Sequence, residues 1–218
     1  MRLKNILRKK SGNASLSGLP HQFESGKYIF IHIPKCAGSS FFINNMGYQG
    51  GHDSYRYYEK VLGDRIYEFF IFSVVRNPVS RFVSAFNFLK AGGMSGADRE
   101  AQRLLQDIDN PNRVLKMLKD GKNISLHFRP QVEFLKNSRS RIAVDNIVKM
   151  EDIEEILENR SLDFSNEAAK QAFYRGFEKD AMKNQASAGD RKKPENLDLN
   201  LLFDVYQEDF WRFDYEPD

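Results

Sequence analysis

Short apolar runs alternate along the chain with longer stretches in which apolar positions recur every three or four residues. Residues 28–33, 69–75 and 142–148 are short, β-rich apolar runs, a pattern that predicts strands central to a parallel sheet. Helical spacing follows them. Asn77-Pro78 supplies a cap and a first-turn proline, after which Phe82, Ala85, Phe86 and Leu89 form one stripe. Ala101, Leu104, Leu105 and Ile108 repeat it, and Val114, Leu115 and Leu118 do so between Asn110-Pro111 and Gly121. Residues 151–159, 166–182 and 198–213 also read as helices, the last with Leu199, Leu202, Phe203, Tyr206, Phe210 and Phe213 on one face. Strands alternating with helices predict an α/β domain, a central parallel sheet flanked by helices. The Gly-rich stretch 91–97 and the polar stretch 184–197 are expected to be mobile loops.

Length and composition narrow the class. The chain has 218 residues, 41% of them hydrophobic, enough for a single self-sufficient core. Residues 1–24 are expected to form a flexible basic tail and 25–218 the domain. Lys4, Arg8, Lys9 and Lys10 in that tail allow weak contact with an anionic membrane surface, but no run is long and apolar enough to span one. One cysteine excludes an internal disulfide and fits a reducing cytoplasm. A net charge of +3 is too mild for a nucleic-acid binder, yet it suits an enzyme that handles anions.

Two junctions carry the chemistry. The first strand runs into Pro34-Lys35-Cys36-Ala37-Gly38-Ser39-Ser40-Phe41, where a helix is expected to begin. Unpaired N–H groups at that helix start, the helix dipole and the Lys35 charge together make an anion holder, and Gly38 permits close approach to the main chain. The second junction is Val74-Val75-Arg76-Asn77-Pro78, with Arg81, Ser84 and Phe88 following on one helix face. Arg76 offers a planar fork at the sheet edge where ligands bind, and a serine hydroxyl can complete a phosphate shell; Arg81 reads equally well as a surface ion-pair partner. Two such junctions suggest a ligand with two separated anionic groups. The order of residues is wrong for a Walker A loop, because Lys35 precedes Gly38 and Arg76 stands where a magnesium-holding Asp would be. No metal is called for. Cys36 reads as a small residue in a tight turn.

The two segments resemble the 5′-phosphosulfate loop and the 3′-phosphate segment of sulfotransferases that use 3′-phosphoadenosine 5′-phosphosulfate (PAPS). The branch they resemble is the carbohydrate type (sulfotransferase family 2), which includes heparan sulfate 2-O-sulfotransferase and the chondroitin and dermatan enzymes. The resemblance implies a P-loop-like fold and transfer of a sulfuryl group from PAPS to a hydroxyl, with a carbohydrate or glycoconjugate acceptor. It assigns Lys35 and the backbone of Ala37, Gly38, Ser39, Ser40 and Phe41 to the phosphosulfate, and Arg76 with Ser84 to the 3′-phosphate. Ser187, Arg191, Lys192 and Lys193 lie where the family places a loop over the nucleotide. The family's Golgi members carry anchors and usually disulfides that are not found in this chain, which implies a cytoplasmic, bacterial setting.

Sulfuryl transfer needs the acceptor proton removed, and a histidine near neutrality is the natural base. His52, in the glycine-rich loop between the two anion motifs, resembles a Gly-His element of the heparan 2-O enzymes and is the expected base. His127, in Leu126-His127-Phe128-Arg129-Pro130-Gln131, resembles a His-x-x-Pro-Gln element of related enzymes; it is expected to line the acceptor pocket and is the alternative base. Arg129 and Gln131 are placed with it at the acceptor. His32 reads as a satisfied buried histidine, and His21 as part of the tail. The short interval 42–69 suggests an open acceptor cleft. The competing functions are a nucleotide-dependent kinase of the same broad fold and a non-catalytic glycan- or nucleotide-binding protein.

Overall fold

The computed structural model describes residues 19–178 and 194–216. Strands β1 (Tyr28–Ile31), β2 (Phe70–Val75) and β3 (Asn146–Lys149) form a parallel sheet in the order β1-β2-β3, with Tyr28 opposite Phe70 and Phe72 opposite Asn146. Every residue of β1 is buried, as are Ile71 to Val75 of β2, as their unbroken apolar runs require of strands covered on both faces. β3 is the more exposed edge. It begins four residues later than expected, because Ile142 pairs antiparallel with Lys136 and Asp145 is tied to the Ile71 amide through its side chain.

Helix α1 (His21–Gly26) precedes the sheet, and Leu19 and Phe23 pack into the main core at 2% and 0% exposure. The folded body therefore starts ahead of residue 25, and His21 belongs to a helix. Helix α2 (Gly38–Met46) follows β1, and α3 (Tyr55–Leu62) with a 3₁₀ segment at Gly63–Glu68 leads into β2. Helix α4 (Pro78–Lys90) follows β2, capped by the Asn77 side chain on the Val79 and Ser80 amides. Helices α5 (Gly96–Leu105), α6 (Pro111–Lys119) and the short α7 (Val132–Leu135) come before β3. A 3₁₀ turn at Met150–Asp152, then α8 (Ile153–Asn159), α9 (Glu167–Gly176) and α10 (Leu199–Arg212), complete the described chain.

The aromatic core of Phe23, Phe30, Phe41, Phe72, Phe173 and Phe177 sits on the sheet, while Phe82, Phe86, Leu115, Leu202 and Phe210 form a second cluster among α4, α6 and α10. Helix α10 is not continuous: Tyr206 leaves helical geometry (φ −115°, ψ 22°), and its hydroxyl donates to the Phe128 carbonyl at 2.9 Å. Nor is 91–97 a loose loop. Ser95 and Asp98 cap α5 reciprocally, and Asp98 also accepts from the Met94 amide. Among the described residues no helix is long and apolar enough to cross a membrane.

Candidate active site

β1 delivers His32 and the Pro34–Gly38 turn to the carboxyl edge of the sheet, and β2 delivers Arg76 beside it, the edge at which α/β proteins bind ligands. The turn is strained. Lys35 and Ala37 both take left-handed backbone angles (φ 68° and 57°), a conformation costing roughly 1–3 kcal/mol for each non-glycine residue. Left-handed residues of this kind can turn successive amides toward one concavity, and the turn stands directly before the start of α2, where the Ser40 amide donates to the Ala37 carbonyl at 3.0 Å. Ser40 and Phe41 are buried at 1% and 0% exposure, and the Ser40 amide is held by the Ala37 carbonyl, so neither side chain faces the opening of the turn. The Ser39 hydroxyl accepts from Gln49 Nε2.

Buried struts hold the strained turn. Arg81 is 1% exposed; its Nε donates to the Pro34 carbonyl (3.0 Å) and its Nη2 to the carbonyls of His127 (3.2 Å) and Arg129 (2.9 Å). It is a staple between the anion turn and the 127–129 segment, not a surface ion-pair partner. Gln131 is also internal, at 0% exposure. Its Oε1 accepts from the Arg76 amide (2.9 Å) and from Cys36 Sγ (3.3 Å), and its Nε2 donates to the Arg76 carbonyl (2.8 Å). The expected acceptor contact by Gln131 is thus corrected: both ends of its amide join the two anion junctions. Cys36 is enclosed, and burial pushes its thiol up to about 12, which keeps it inert at neutral pH.

Arg76 is half-buried and reaches both junctions, with Nε donating to Ser80 Oγ (3.1 Å) and Nη1 to the Lys35 carbonyl (3.4 Å). Ser84 is only 2% exposed on α4, so the hydroxyl beside Arg76 in this structure is that of Ser80. Arg129 lies with its guanidinium 5.6 Å from the centre of the Phe134 ring. Ser187, Arg191, Lys192 and Lys193 lie outside the described residues.

Three histidines from separate parts of the chain meet here. The rings of His32 and His52 are 4.2 Å apart between centres, and those of His52 and His127 are 5.6 Å apart. Phe88 of α4 connects the cluster to the anion turn: Lys35 Nζ stands 3.9 Å from its ring centre and the His127 ring 5.0 Å. His52 donates its Nδ1–H to the His32 carbonyl at 3.0 Å, because that oxygen can only accept. Gly38 and Gly50 make the assembly possible. A Cβ at 38 would fall 2.1 Å from the His32 ring, and one at 50 would fall 2.3 Å from the Phe42 ring.

Burial sets the charge state of the cluster. It holds His32 well below the ordinary histidine range, reinforced by the neighbouring His52. It lowers His52 as well, against the opposing pull of the His32 carbonyl. Burial takes His127 down to about 4 despite the Asp98 carboxylate, so the 3.0 Å contact from His127 Nε2 to Asp98 Oδ1 is a hydrogen bond from a neutral ring to a carboxylate. His32 is buried as expected; the Gly50 and Gly51 carbonyls interact with its ring and oppose the lowering, while its Nδ1 is left unpaired. Asp98 is not among the expected site residues, and Arg81 fits neither of its two readings, phosphate ligand or surface ion-pair partner. The only sequence sign of Asp98 is Ser95-x-x-Asp98, which marks a helix cap and nothing more.

A family model described as "Sulfotransferase family" matches residues 23–216. The chain belongs to the sulfotransferase family. The match covers both anion junctions and all three clustered histidines, and sulfuryl transfer is the general activity it supports. No curated protein and no solved structure gave a match. The kinase alternative gives way to this membership.

Proposed function

We propose that this sulfotransferase moves a sulfuryl group from PAPS to a hydroxyl of a carbohydrate or glycoconjugate acceptor, with His52 as the base. The observation that carries this reading is the fixed tautomer of His52. Its Nδ1–H is tied to the His32 carbonyl, so the lone pair is on Nε2, in a ring that burial keeps neutral at pH 7. The neighbouring turn suits the donor's sulfated end: a lysine, left-handed backbone and the first amides of α2 are gathered in one place.

PAPS supplies a sulfuryl group already activated by its bond to the 5′-phosphate. Lys35 and the 37–39 amides bind that end, and Arg76 takes the 3′-phosphate, with Ser84 or the nearer Ser80 completing the shell. His52 Nε2 removes the acceptor proton as the acceptor oxygen bonds to sulfur and the bond from sulfur to the 5′-phosphate oxygen breaks. Lys35 neutralises the charge left on that phosphate. Ser187, Lys192 and Lys193 are proposed to close over the nucleotide, and His127 to face the acceptor. Arg129, held at Phe134, is the weakest member of the acceptor set.

The experiment is transfer of sulfur-labelled sulfuryl from PAPS to a panel of glycans, glycolipids and simple alcohols. Label is expected in at least one hydroxylated acceptor, with no metal added. Label that stays on the nucleotide across the whole panel, in protein that binds the nucleotide, would favour the non-catalytic reading.

A further inference from the structure

The most unusual wiring at the site belongs to a residue with no role in the scheme above. Asp98 is 6% exposed, in the first turn of α5. Its Oδ2 accepts from the amides of Met94 (3.0 Å) and Ser95 (2.9 Å), which leaves Oδ1 to His127 Nε2 at 3.0 Å. The loop before it closes tightly, since Gly93 takes φ 57° and a Cβ there would fall 2.3 Å from Asp98 Cβ. Burial works to raise the Asp98 pKa, but the two amides and the Ser95 hydroxyl outweigh it and hold the carboxyl below its ordinary value.

A carboxylate can only accept, so the hydrogen of the neutral His127 ring sits on Nε2 and the lone pair on Nδ1. That Nδ1 is buried and has no hydrogen-bond partner in the protein, in a side chain 8% exposed whose ring lies against His52 and Phe88. Buried polar atoms are nearly always paired, so an acceptor beside a candidate base that no protein group pairs is one that a donor from outside the protein can fill. The charged and titratable groups around His127 are Asp98 from α5, Lys35 from the anion turn, Arg81 of α4 on its carbonyl and His52 from the loop before α3, with His32 behind His52.

We propose that Asp98 is a positioning residue that locks His127 in its Nε2–H tautomer, so that Nδ1 accepts a hydrogen bond from an acceptor hydroxyl adjacent to the one His52 deprotonates. This rests on the reading of the His52 and Lys35 site as the place of transfer. It assigns to the acceptor a second O–H donor next to the reacting one.

Asp98→Asn separates this role from helix capping. The amide oxygen still accepts from the Met94 and Ser95 amides, while the NH₂ turns to His127 and forces the hydrogen onto Nδ1. Ser95→Ala does the reverse: it removes the hydroxyl that caps Asp98 N, while the Met94 and Ser95 amides still hold Asp98 Oδ2. Nitrogen-15 spectra of the histidine rings in the full chain near neutral pH are expected to show His127 protonated on Nε2 in the wild type and on Nδ1 in Asp98→Asn. With an acceptor in hand, Asp98→Asn is expected to raise the acceptor KM about tenfold or more, with product-nucleotide affinity unchanged. Ser95→Ala is expected to lower the thermal midpoint and leave KM alone. A wild-type His127 protonated on Nδ1, a tautomer unmoved by Asp98→Asn, or a KM defect reproduced by Ser95→Ala would each overturn the proposal. If no acceptor is ever sulfated, the hydroxyl-binding role falls with the site reading, and the spectra still decide the tautomer.

Discussion

His52→Ala is expected to lower turnover by about 10²–10⁴-fold, the usual worth of a positioned general base, with little change in affinity for the product nucleotide. The asymmetry follows from where the ring stands. It is held by the His32 carbonyl and packed between His32 and His127, while the groups proposed to bind the nucleotide are in the anion turn and at Arg76. The pH dependence has a definite sign. A base works only when neutral, and burial moves His52 below 6.5, so wild-type turnover should be flat across neutrality and fall only on the acid side of that value. Steady-state rates and nucleotide titration of the same preparation check both points. A His52→Ala enzyme within about tenfold of wild type would move the base to His127.

Arg81→Met is expected to cost about 3–5 kcal/mol of stability, a large part of the roughly 5–15 kcal/mol available to a domain of this kind. Methionine can occupy the aliphatic path of the side chain, but it leaves the carbonyls of Pro34, His127 and Arg129 without their donor inside the protein. A second penalty comes from Asp209 of α10. This carboxylate is 0% exposed and accepts from the Gln131 (2.8 Å) and Val132 (2.9 Å) amides. Burial raises it to about 6, and the Arg81 guanidinium is the first influence holding it down. Without that guanidinium the folded protein favours protonated Asp209 more strongly. The gap between variant and wild type should therefore be wide at neutral pH and narrow as pH falls below about 6. Thermal melts should show a drop of roughly 10 °C near pH 7.5. A midpoint within about 2 °C of wild type would mean that Arg81 is not the staple of the anion turn.

Local pattern made much of this legible. The runs at 28–33 and 69–75 gave strands because parallel strands covered on both faces need unbroken apolar sequence, and the residues proposed to hold anions follow them directly in the chain. The position of Lys35, Gly38 and Arg76 at the carboxyl edge of the sheet is readable for that reason. The third strand was misplaced by its start, since the pairing of Ile142 with Lys136 is a contact that no periodicity encodes. α1 and α7 went unread because six and four residues are too few to show a helical period.

What joins the site lies farther apart in the chain. Asp98 meets His127 across 29 positions, Gln131 meets Arg76 across 55, and Arg81 meets Pro34 across 47. Such pairings leave no trace in local spacing. Gln131 therefore looked like a substrate contact when it is a strut, and Arg81 like a surface charge when it is among the largest fully buried side chains of the described residues. The break at Tyr206 has the same origin, a hydroxyl drawn to the distant Phe128 carbonyl.

The central claim is that the paired junctions bind a nucleotide bearing both a 5′ anion and a 3′-phosphate. Calorimetric titration of adenosine 3′,5′-bisphosphate into the protein, without metal, tests it most directly. The expected result is binding in the micromolar range, about −8 kcal/mol. It should weaken about tenfold or more in Lys35→Ala and for adenosine 5′-monophosphate, which lacks the 3′ group. No heat at ligand concentrations of about 1 mM, or equal affinity for the two nucleotides, would contradict the account.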